Sequence, residues 1–469
     1  MSQVILWSGV ESKNKNHLIV RTGGVYQLAS WLRQQGYTVT VIDFCFMLST
    51  DDIIDMTTKY IGRDTIAIGV SSTFWEITKI ERDGIFVGGA FEPDWLVAAR
   101  TRIESSFPNI KWLIGGANSH IKSVFKWVRF KDHAEDSLIK WLDENTNTKV
   151  SRNAFDIGSC CKLHHASDFI QPQEVLSVEL GRGCIFKCKF CTSHLLGKKA
   201  GTYTRSFDDI RNEIMDNYNK YGVTKYYFTD DTVNDSVDKV ESILKLSKSL
   251  PFELEWQGYC RADLIWSNFE TADMLAESGL KSPFFGIETF NPVSSRAISK
   301  GWSGKHGKEF LLKLKEHWKD RLTWHLGLII GCPGWNREEL ENDIKWLTDN
   351  DMHSWVWWAL YINPKGGYQQ SVFELDYAKY GYTFEGNNMV SWINGDMRHE
   401  ELRHVAIDAN ARTYDSLKVA GFRLGELSGN LNCSMSSLLN VYEKDLDWNA
   451  ANQGAAKFLE NYKNNHLNS

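Results

Sequence analysis

Three cysteines crowd one short stretch, Gly181-Arg182-Gly183-Cys184-Ile185-Phe186-Lys187-Cys188-Lys189-Phe190-Cys191, in a C-x3-C-x2-C array. Thiolates this close together can hold a single soft metal centre. A [4Fe–4S] cube takes one ligand per iron, so Cys184, Cys188 and Cys191 would leave one iron open. An open iron can bind and reduce a substrate, whereas a fully ligated cluster only relays electrons. The competing reading is structural zinc, which wants a fourth Cys or His close by. His194, three residues beyond Cys191, could supply it.

Other candidates are weaker. Cys160-Cys161 with His164-His165 invites a metal reading, but adjacent cysteines make poor tetrahedral geometry, and these residues are read as incidental. Cys332 could face the active site as a hydrogen-atom donor; a buried structural thiol is the expected outcome. Trp355, Trp357 and Trp358 share a β-branched and aromatic run, so alternation should turn at least one into a cavity and its neighbour outward.

These residues need elements to position them. Strand candidates Val4 to Ser8, Thr38 to Phe44, Thr65 to Ser71 and Ile110 to Ile114 are interleaved with helical patterns at Val25 to Gln35 and Trp95 to Ser105. This alternation predicts a doubly wound parallel sheet over residues 1–140. Ligands of such sheets sit at the carboxyl ends of the strands, here Ser8-Gly9, Asp43, Ser71-Ser72-Thr73 and Gly115-Gly116. No G-x-G-x-x-G follows the first strand, which disfavours a dinucleotide. Residues 141–172 lose the pattern and read as a linker.

A second alternation fills residues 173–364. Its strand candidates are Glu174 to Leu180, Thr224 to Thr229, Phe252 to Cys260, Pro283 to Glu288, Thr323 to Ile330 and Trp355 to Ile362. The intervening helices are expected at Phe207 to Tyr218, with Ser206 and Asp209 as a capping box, Ser236 to Ser247, Glu270 to Glu277, Lys308 to Trp318 and Glu338 to Leu347. Six such units make a partial (β/α)6 barrel of TIM-like type, with its site at the C-terminal strand ends. The cysteine loop directly follows the first of these strands, a position that favours a cluster over zinc. Residues 365–469 read as mainly helical, with Glu400 to Gly421 as one long helix and no evident chemistry.

Composition sets the outer bounds. The chain has 469 residues, a net charge of −6 and 24% charged residues, so no basic excess points to nucleic acid. No apolar run approaches the roughly 18 residues of a membrane span, and the start carries no basic leader, so a cytoplasmic location is expected. Nine cysteines are too sparse for a disulfide scaffold.

The cysteine loop, with the aromatic Phe190 before its last Cys, resembles the hallmark of the radical S-adenosylmethionine (SAM) superfamily. The resemblance extends over about residues 174–364. Arg182-Gly183-Cys184 looks like the family's lead-in, Phe228-Thr229-Asp230-Asp231 like its second strand end, and Arg261 with Asp263 like its third. Gly286-Ile287-Glu288 resembles the fourth-strand motif, and Gly327-Leu328-Ile329-Ile330-Gly331-Cys332-Pro333-Gly334 the fifth-strand turn that accommodates adenine. The family implies a [4Fe–4S] cluster whose open iron binds the amino and carboxylate groups of SAM, one-electron cleavage to methionine and a 5′-deoxyadenosyl radical, and an electron donor such as flavodoxin or ferredoxin. The same residues suit a zwitterion: Arg261 can pair a carboxylate, Asp230 or Glu288 can accept from an ammonium or a ribose hydroxyl, and the glycines around Ile329 let backbone approach a purine.

A doubly wound domain before such a barrel resembles the cobalamin (B12)-binding radical SAM enzymes, with Leu113-Ile114-Gly115-Gly116-Ala117-Asn118-Ser119-His120 similar to their Gly-Gly turn. The D-x-H-x-x-G cobalt-ligand motif is missing; His17 lacks both the Asp and the Gly. The resemblance implies a radical enzyme that uses cobalamin, held at Ser71, Gly115 and Gly116 without a histidine ligand, for C-methylation of an unactivated carbon. A rearrangement or cyclisation without methyl transfer is the alternative within the class, and a non-catalytic zinc or cluster protein the alternative outside it. The substrate, a small molecule or a peptide, is not legible, since neither a basic patch nor a carrier motif is present.

Overall fold

A computed structural model describes residues 2–10, 18–75, 79–82, 85–88, 92–116, 119, 123, 125–130, 134–146, 155–156, 161–193, 204–300, 304–363, 370–384 and 391–469. The first unit alternates strand and helix: β1 (Gln3–Trp7), α1 (Gly23–Gln34), β2 (Thr38–Ile42), α2 (Thr50–Tyr60), β3 (Thr65–Ser71), a hairpin of β4 (Lys79–Arg82) and β5 (Ile85–Gly88), α3 (Asp94–Ser106), β6 (Lys111–Gly115), β7 (Val128–Arg129) and α4 (Ala134–Asn145). The main strands form a parallel sheet in the order β2-β1-β3-β6-β7. Apolar layers cover it on both faces, one around Trp7, Ile53, Leu96 and Trp112, the other around Tyr26, Leu32, Val41 and Leu142. This is the doubly wound sheet the alternation predicts. Two expectations fail at its margins. The helix α2 is additional to the predicted elements: Ser49 caps it by accepting from Asp52 N–H, and Ile53, Ile54 and Met56 face the core. The expected loss of pattern from residue 141 is also wrong locally, since α4 runs on to Asn145 and buries Leu142.

The second unit contains β8 (Val175–Val178), α5 (Phe207–Tyr221), β9 (Lys225–Phe228), α6 (Val237–Lys248), β10 (Glu255–Cys260), α7 (Ala262–Ser267), α8 (Thr271–Glu277), β11 (Leu280–Glu288), α9 (Pro292–Ile298), α10 (Gly304–Trp318), β12 (His325–Ile330), α11 (Arg337–Asp349) and β13 (Trp355–Ala359). All six expected strands are present and parallel, in the order β13-β12-β11-β10-β9-β8. The sheet is open, so its edges need cover. Asn410 satisfies the β13 edge, accepting from Trp357 N–H at 2.9 Å and donating to Trp357 C=O at 3.0 Å. At the β8 edge, Lys162 Nζ donates to the Ser177 carbonyl, so the end of the expected linker is built into the barrel wall.

The C-terminal region holds α12 (Val372–Asp376), a small antiparallel sheet of β14 (Thr383–Phe384), β15 (Trp392–Asn394) and β16 (Met397–Arg398), then α13 (His399–Thr413), α14 (Phe422–Asn430) and α15 (Trp448–Asn468). The single helix expected from Glu400 to Gly421 is thus shorter, and α14 begins only beyond that span. α13 stops at Thr413 because the following backbone finds tertiary partners: Lys418 N–H donates to His353 C=O at 2.7 Å and Val419 N–H to Val441 C=O at 2.7 Å. α14 then lies against the inner face of β8, β9 and β10. α15 crosses to the first sheet, where the Tyr462 hydroxyl accepts from Asp43 N–H at 2.9 Å and donates to Val41 C=O at 3.3 Å, covering edge strand β2. No described helix is long and apolar enough to cross a membrane.

Candidate active site at the barrel mouth

The cysteine loop leaves the end of β8 and is fixed by backbone contacts. Leu180 N–H and Gly181 N–H both donate to Asp230 Oδ1, at 2.8 and 3.0 Å, while Asp230 Oδ2 pairs with Lys239 Nζ at 2.6 Å. Burial raises the Asp230 pKa, and Lys239 and the two amides oppose that shift. Both oxygens of this carboxylate are engaged by the protein. Further along the loop, Lys189 N–H donates to Ile298 C=O at 3.0 Å and Phe373 N–H to Lys189 C=O at 3.1 Å. Phe190 is half-buried against the barrel core.

Each sulfur has a polar neighbour. Arg261 Nη1 donates to Cys188 Sγ at 3.6 Å, Ser193 N–H donates to Cys191 Sγ at 3.4 Å, and Thr232 Oγ1 lies 3.4 Å from Cys184 Sγ. Donors aimed at sulfur stabilise thiolates and tune a cluster they hold. Burial raises the Cys191 pKa, with Cys188 and Asp231 adding to it against the Ser193 contacts. A zinc site would want a fourth Cys or His beside these three, and His194, the candidate, lies outside the described residues. A cube spreads its ligands over separate irons, which this donor set fits.

Arg261 and Glu288 meet at Lys300. The Arg261 fork grips Asp263 at 3.0 and 2.6 Å, its Nη2 also reaches Lys300 C=O at 3.0 Å, and its guanidinium lies 4.1 Å over the Phe186 ring. Burial would lower the Arg261 pKa, but Asp263 and then Cys188 outweigh it and hold it high. Glu288 adopts φ 65° at the end of β11 and pairs with Lys300 Nζ at 3.2 Å. Both charges named for a zwitterion are therefore already paired inside the protein. Ile329 is paired with Trp358 on β13, and Gly331 lies under Trp392 and Leu402 while its carbonyl accepts from the Tyr382 hydroxyl at 2.8 Å. Cys332 is fully buried and burial pushes its thiol up. Trp355 and Trp357 are buried, whereas Trp358 is 47% exposed on the inner face.

In the first unit, the loops after β3 and β6 meet. Ser72 donates through its amide and its hydroxyl to Gly115 C=O, at 2.8 and 2.7 Å, and Ser71 Oγ lies 3.5 Å from Thr73 Oγ1. Gly116 has φ 96°, and a Cβ there would press on Thr73 N at 2.8 Å. Beside them Asp43 is buried and accepts from Thr22 and Phe44; burial raises its pKa against the nearby Arg21. His17, Cys160 and the Ala117-Asn118 and His120 part of the Gly-Gly turn lie outside the described residues. His164 is buried beside Asp168 and His165 caps the short turn that follows, so neither is placed as a ligand.

The two units touch along these edges. Arg182 Nη1 pairs with Glu135 Oε1 in the first turn of α4 at 3.2 Å, Gly23 at the start of α1 abuts Ser177 on β8, and Ile19 N–H donates to Asn430 Oδ1 at 3.2 Å. Buried Arg21 pairs with Glu174 and Tyr26 and donates to Phe169 C=O at 3.1 Å.

Residues 178–347 match the model of the Radical SAM superfamily. That segment of the chain is a radical SAM domain. Among curated proteins, an uncharacterized methyltransferase of Pyrococcus horikoshii is 28% identical over 176 residues, 37% of each chain. Cytidylyl-2-hydroxyethylphosphonate methyltransferase of Streptomyces wedmorensis is 29% identical over 109 residues, 23% of this chain and 20% of its own. The matches thus span little more than a third of these relatives at most. Among solved structures, the radical SAM methyltransferase TsrM of Kitasatospora setae superposes with a TM-score of 0.63 at 15% identity, over 98% of this chain and 100% of that one. The cobalamin-dependent radical enzyme OxsB follows at 0.52 and 14%, over 75% and 52%. The radical SAM domain therefore sits in a fold of the same plan as these two. The family read from the cysteine loop is the one the comparison returns, and it brings a [4Fe–4S] cluster and SAM with it.

Lys239, Lys300, Thr232 and Ser193 have no local signature in the sequence. Thr232 matters through Cys184, 48 residues away, and a lone Lys or Ser carries no periodic signal even where its partner is nearer.

Proposed function

We propose that this chain is a cobalamin-dependent radical SAM methyltransferase acting on an unactivated carbon. The observation that carries the reading is the joint itself: Arg182, two residues before Cys184, pairs with Glu135, so the carboxyl-end loops of the first sheet stand against the mouth of the radical SAM domain. Ligands of both folds bind at those ends. The naming of TsrM, OxsB and both curated relatives supports cobalamin and methyl transfer.

When bound, the cluster supplies the electron that cleaves SAM to methionine and a 5′-deoxyadenosyl radical, and cobalamin supplies a transferable methyl group. The protein's part is positional. Cys184, Cys188 and Cys191 would hold the cluster, with Arg261, Ser193 and Thr232 as neighbours of the three sulfurs. Asp230, locked by Lys239, keeps the loop's first amides in place. Arg261, Lys300 and Glu288 form a paired ridge that begins beside Cys188, where a zwitterion would exchange with existing partners rather than meet bare charges. The corrin would lie across Ser71, Gly115 and Gly116, without a histidine from a D-x-H-x-x-G motif. We place the reaction in the cytoplasm, where reducing conditions preserve free thiols and a flavodoxin or ferredoxin can donate the electron.

The test is product analysis after anaerobic reconstitution with iron, sulfide and hydroxocobalamin, followed by SAM and reductant. S-adenosylhomocysteine together with 5′-deoxyadenosine supports methyl transfer. 5′-Deoxyadenosine alone, with no cobalamin retained after desalting, assigns a radical rearrangement or cyclisation instead.

A further inference from the structure

The inner face of the barrel carries a continuous aromatic wall that the cluster chemistry does not use. Tyr227 on β9, Tyr259 on β10, Phe284 on β11 and Trp358 on β13 all point inward. Tyr259 and Phe284 have ring centroids 4.9 Å apart, and Phe284 and Trp358 are 6.1 Å apart and stacked at 29°. Gly327 lies between these last two: a Cβ there would meet Phe284 at 2.9 Å and Trp358 at 3.2 Å. Phe422, the first residue of α14, closes the wall at 5.0 Å from Tyr227, 5.3 Å from Tyr259 and 6.0 Å from Phe284. The helix is held in place by Gln257, which accepts from Gly425 N–H at 3.1 Å and donates to Phe422 C=O at 3.3 Å.

A filled core would bury such rings. Here Tyr227, Tyr259, Phe284 and Phe422 remain half-buried and Trp358 is 47% exposed, so part of each ring stays accessible on this face. One helical turn beyond Phe422, on the same face, is Glu426, close enough to Tyr227 to act on its phenol. Its carboxyl has no hydrogen-bond partner among the described residues, and burial raises its pKa to about 7, with Arg423 opposing. The wall also leads to the cluster loop, since Asp231, just beyond β9, accepts from Ser193 Oγ at 2.8 Å.

We propose that this face, walled by Tyr227, Tyr259, Phe284, Trp358 and Phe422 and ended by Glu426, is the substrate subsite and takes a planar aromatic ring bearing an N–H or O–H donor. It rests on reading the barrel mouth as the radical site. Rings stack on the wall, and the donor reaches the Glu426 carboxyl at its end.

The test uses cluster-reconstituted protein and three probes titrated by ligand-observed NMR: p-cresol, 4-methylanisole and 4-methylcyclohexanol. p-Cresol should saturate, 4-methylanisole should bind about tenfold more weakly, and 4-methylcyclohexanol weaker still. Glu426→Leu should remove the difference between the two aromatics, and Trp358→Ala should weaken both about fivefold. Equal binding of the cyclohexanol, absence of p-cresol binding, or a cresol preference that survives Glu426→Leu would overturn the subsite. Iron assayed in the same samples separates the two failures. Wild type that holds iron but binds no aromatic overturns the subsite alone, whereas wild type without iron overturns the proposed function.

Discussion

Arg182 joins the two halves of the molecule: its guanidinium reaches Glu135 at 3.2 Å in one direction and Glu179 at 2.7 Å in the other. The same side chain lies directly upstream of Gly183 and Cys184, so the loop that carries the thiols is fastened to the first sheet's last helix. The two glutamates outweigh the effect of burial and hold the Arg182 pKa high. Glu135→Ala should lower stability by about 1 kcal/mol, since Glu179 keeps the guanidinium paired. Arg182→Ala should cost about 2 kcal/mol, because it strands two carboxylates. Urea unfolding with a double-mutant cycle measures the coupling between them.

The second joint is more deeply buried. Arg21 and Glu174 are each almost without exposure, and the Arg21 guanidinium lies 5.2 Å from the Phe44 ring and 5.4 Å from that of Tyr462. Removing one charge leaves the other stranded in low dielectric, so Arg21→Met should destabilise the chain by about 3–5 kcal/mol. Replacing both charges, as Arg21→Met with Glu174→Leu, should recover much of the loss. Chemical denaturation of the three variants checks the order.

Much of this plan is written in local pattern. The six barrel strands follow from alternating runs such as Thr323 to Ile330, and the cluster loop is visible because its three cysteines lie within eight residues. The hidden parts depend on distant partners. Nothing near Phe422 announces that it will stack on Tyr227, and nothing near Tyr462 announces a hydrogen bond to Asp43. The end of α13 at Thr413 is equally illegible, because helical composition continues through Lys418 and tertiary bonds to His353 and Val441 take the following backbone out of the helix.

Asp230 should matter to cluster loading without touching the metal. Asp230→Ala removes the acceptor for two loop amides and leaves Lys239 to Asp235 and the Thr232 carbonyl, whereas Asp230→Asn keeps an acceptor oxygen and loses only the ion pair. Iron and sulfide content after reconstitution should fall severalfold in the alanine variant and less in the asparagine variant. The opposite order would show that charge, not the amide clamp, governs the loop.

Glu426 predicts a pH dependence of stability. Its pKa is raised from 4.5 to about 7 in the folded chain. Between those values the folded state holds a proton that the unfolded state has released, so the contribution of this group to stability is full below about 4.5 and falls as pH rises to about 7, then stays flat. Glu426→Gln removes that slope. The difference in urea midpoint between wild type and variant should therefore change across pH 5 to 7 and be constant above it.

Metal content tests the radical SAM centre most directly. Anaerobically purified and reconstituted wild type should contain about four irons and about four sulfides per chain and should convert SAM to 5′-deoxyadenosine with reductant. The Cys184→Ala, Cys188→Ala, Cys191→Ala triple variant should do neither, while Cys161→Ala and Cys332→Ala keep their iron. A colourless wild-type protein carrying one zinc and no sulfide, or SAM cleavage that persists in the triple variant, would contradict it.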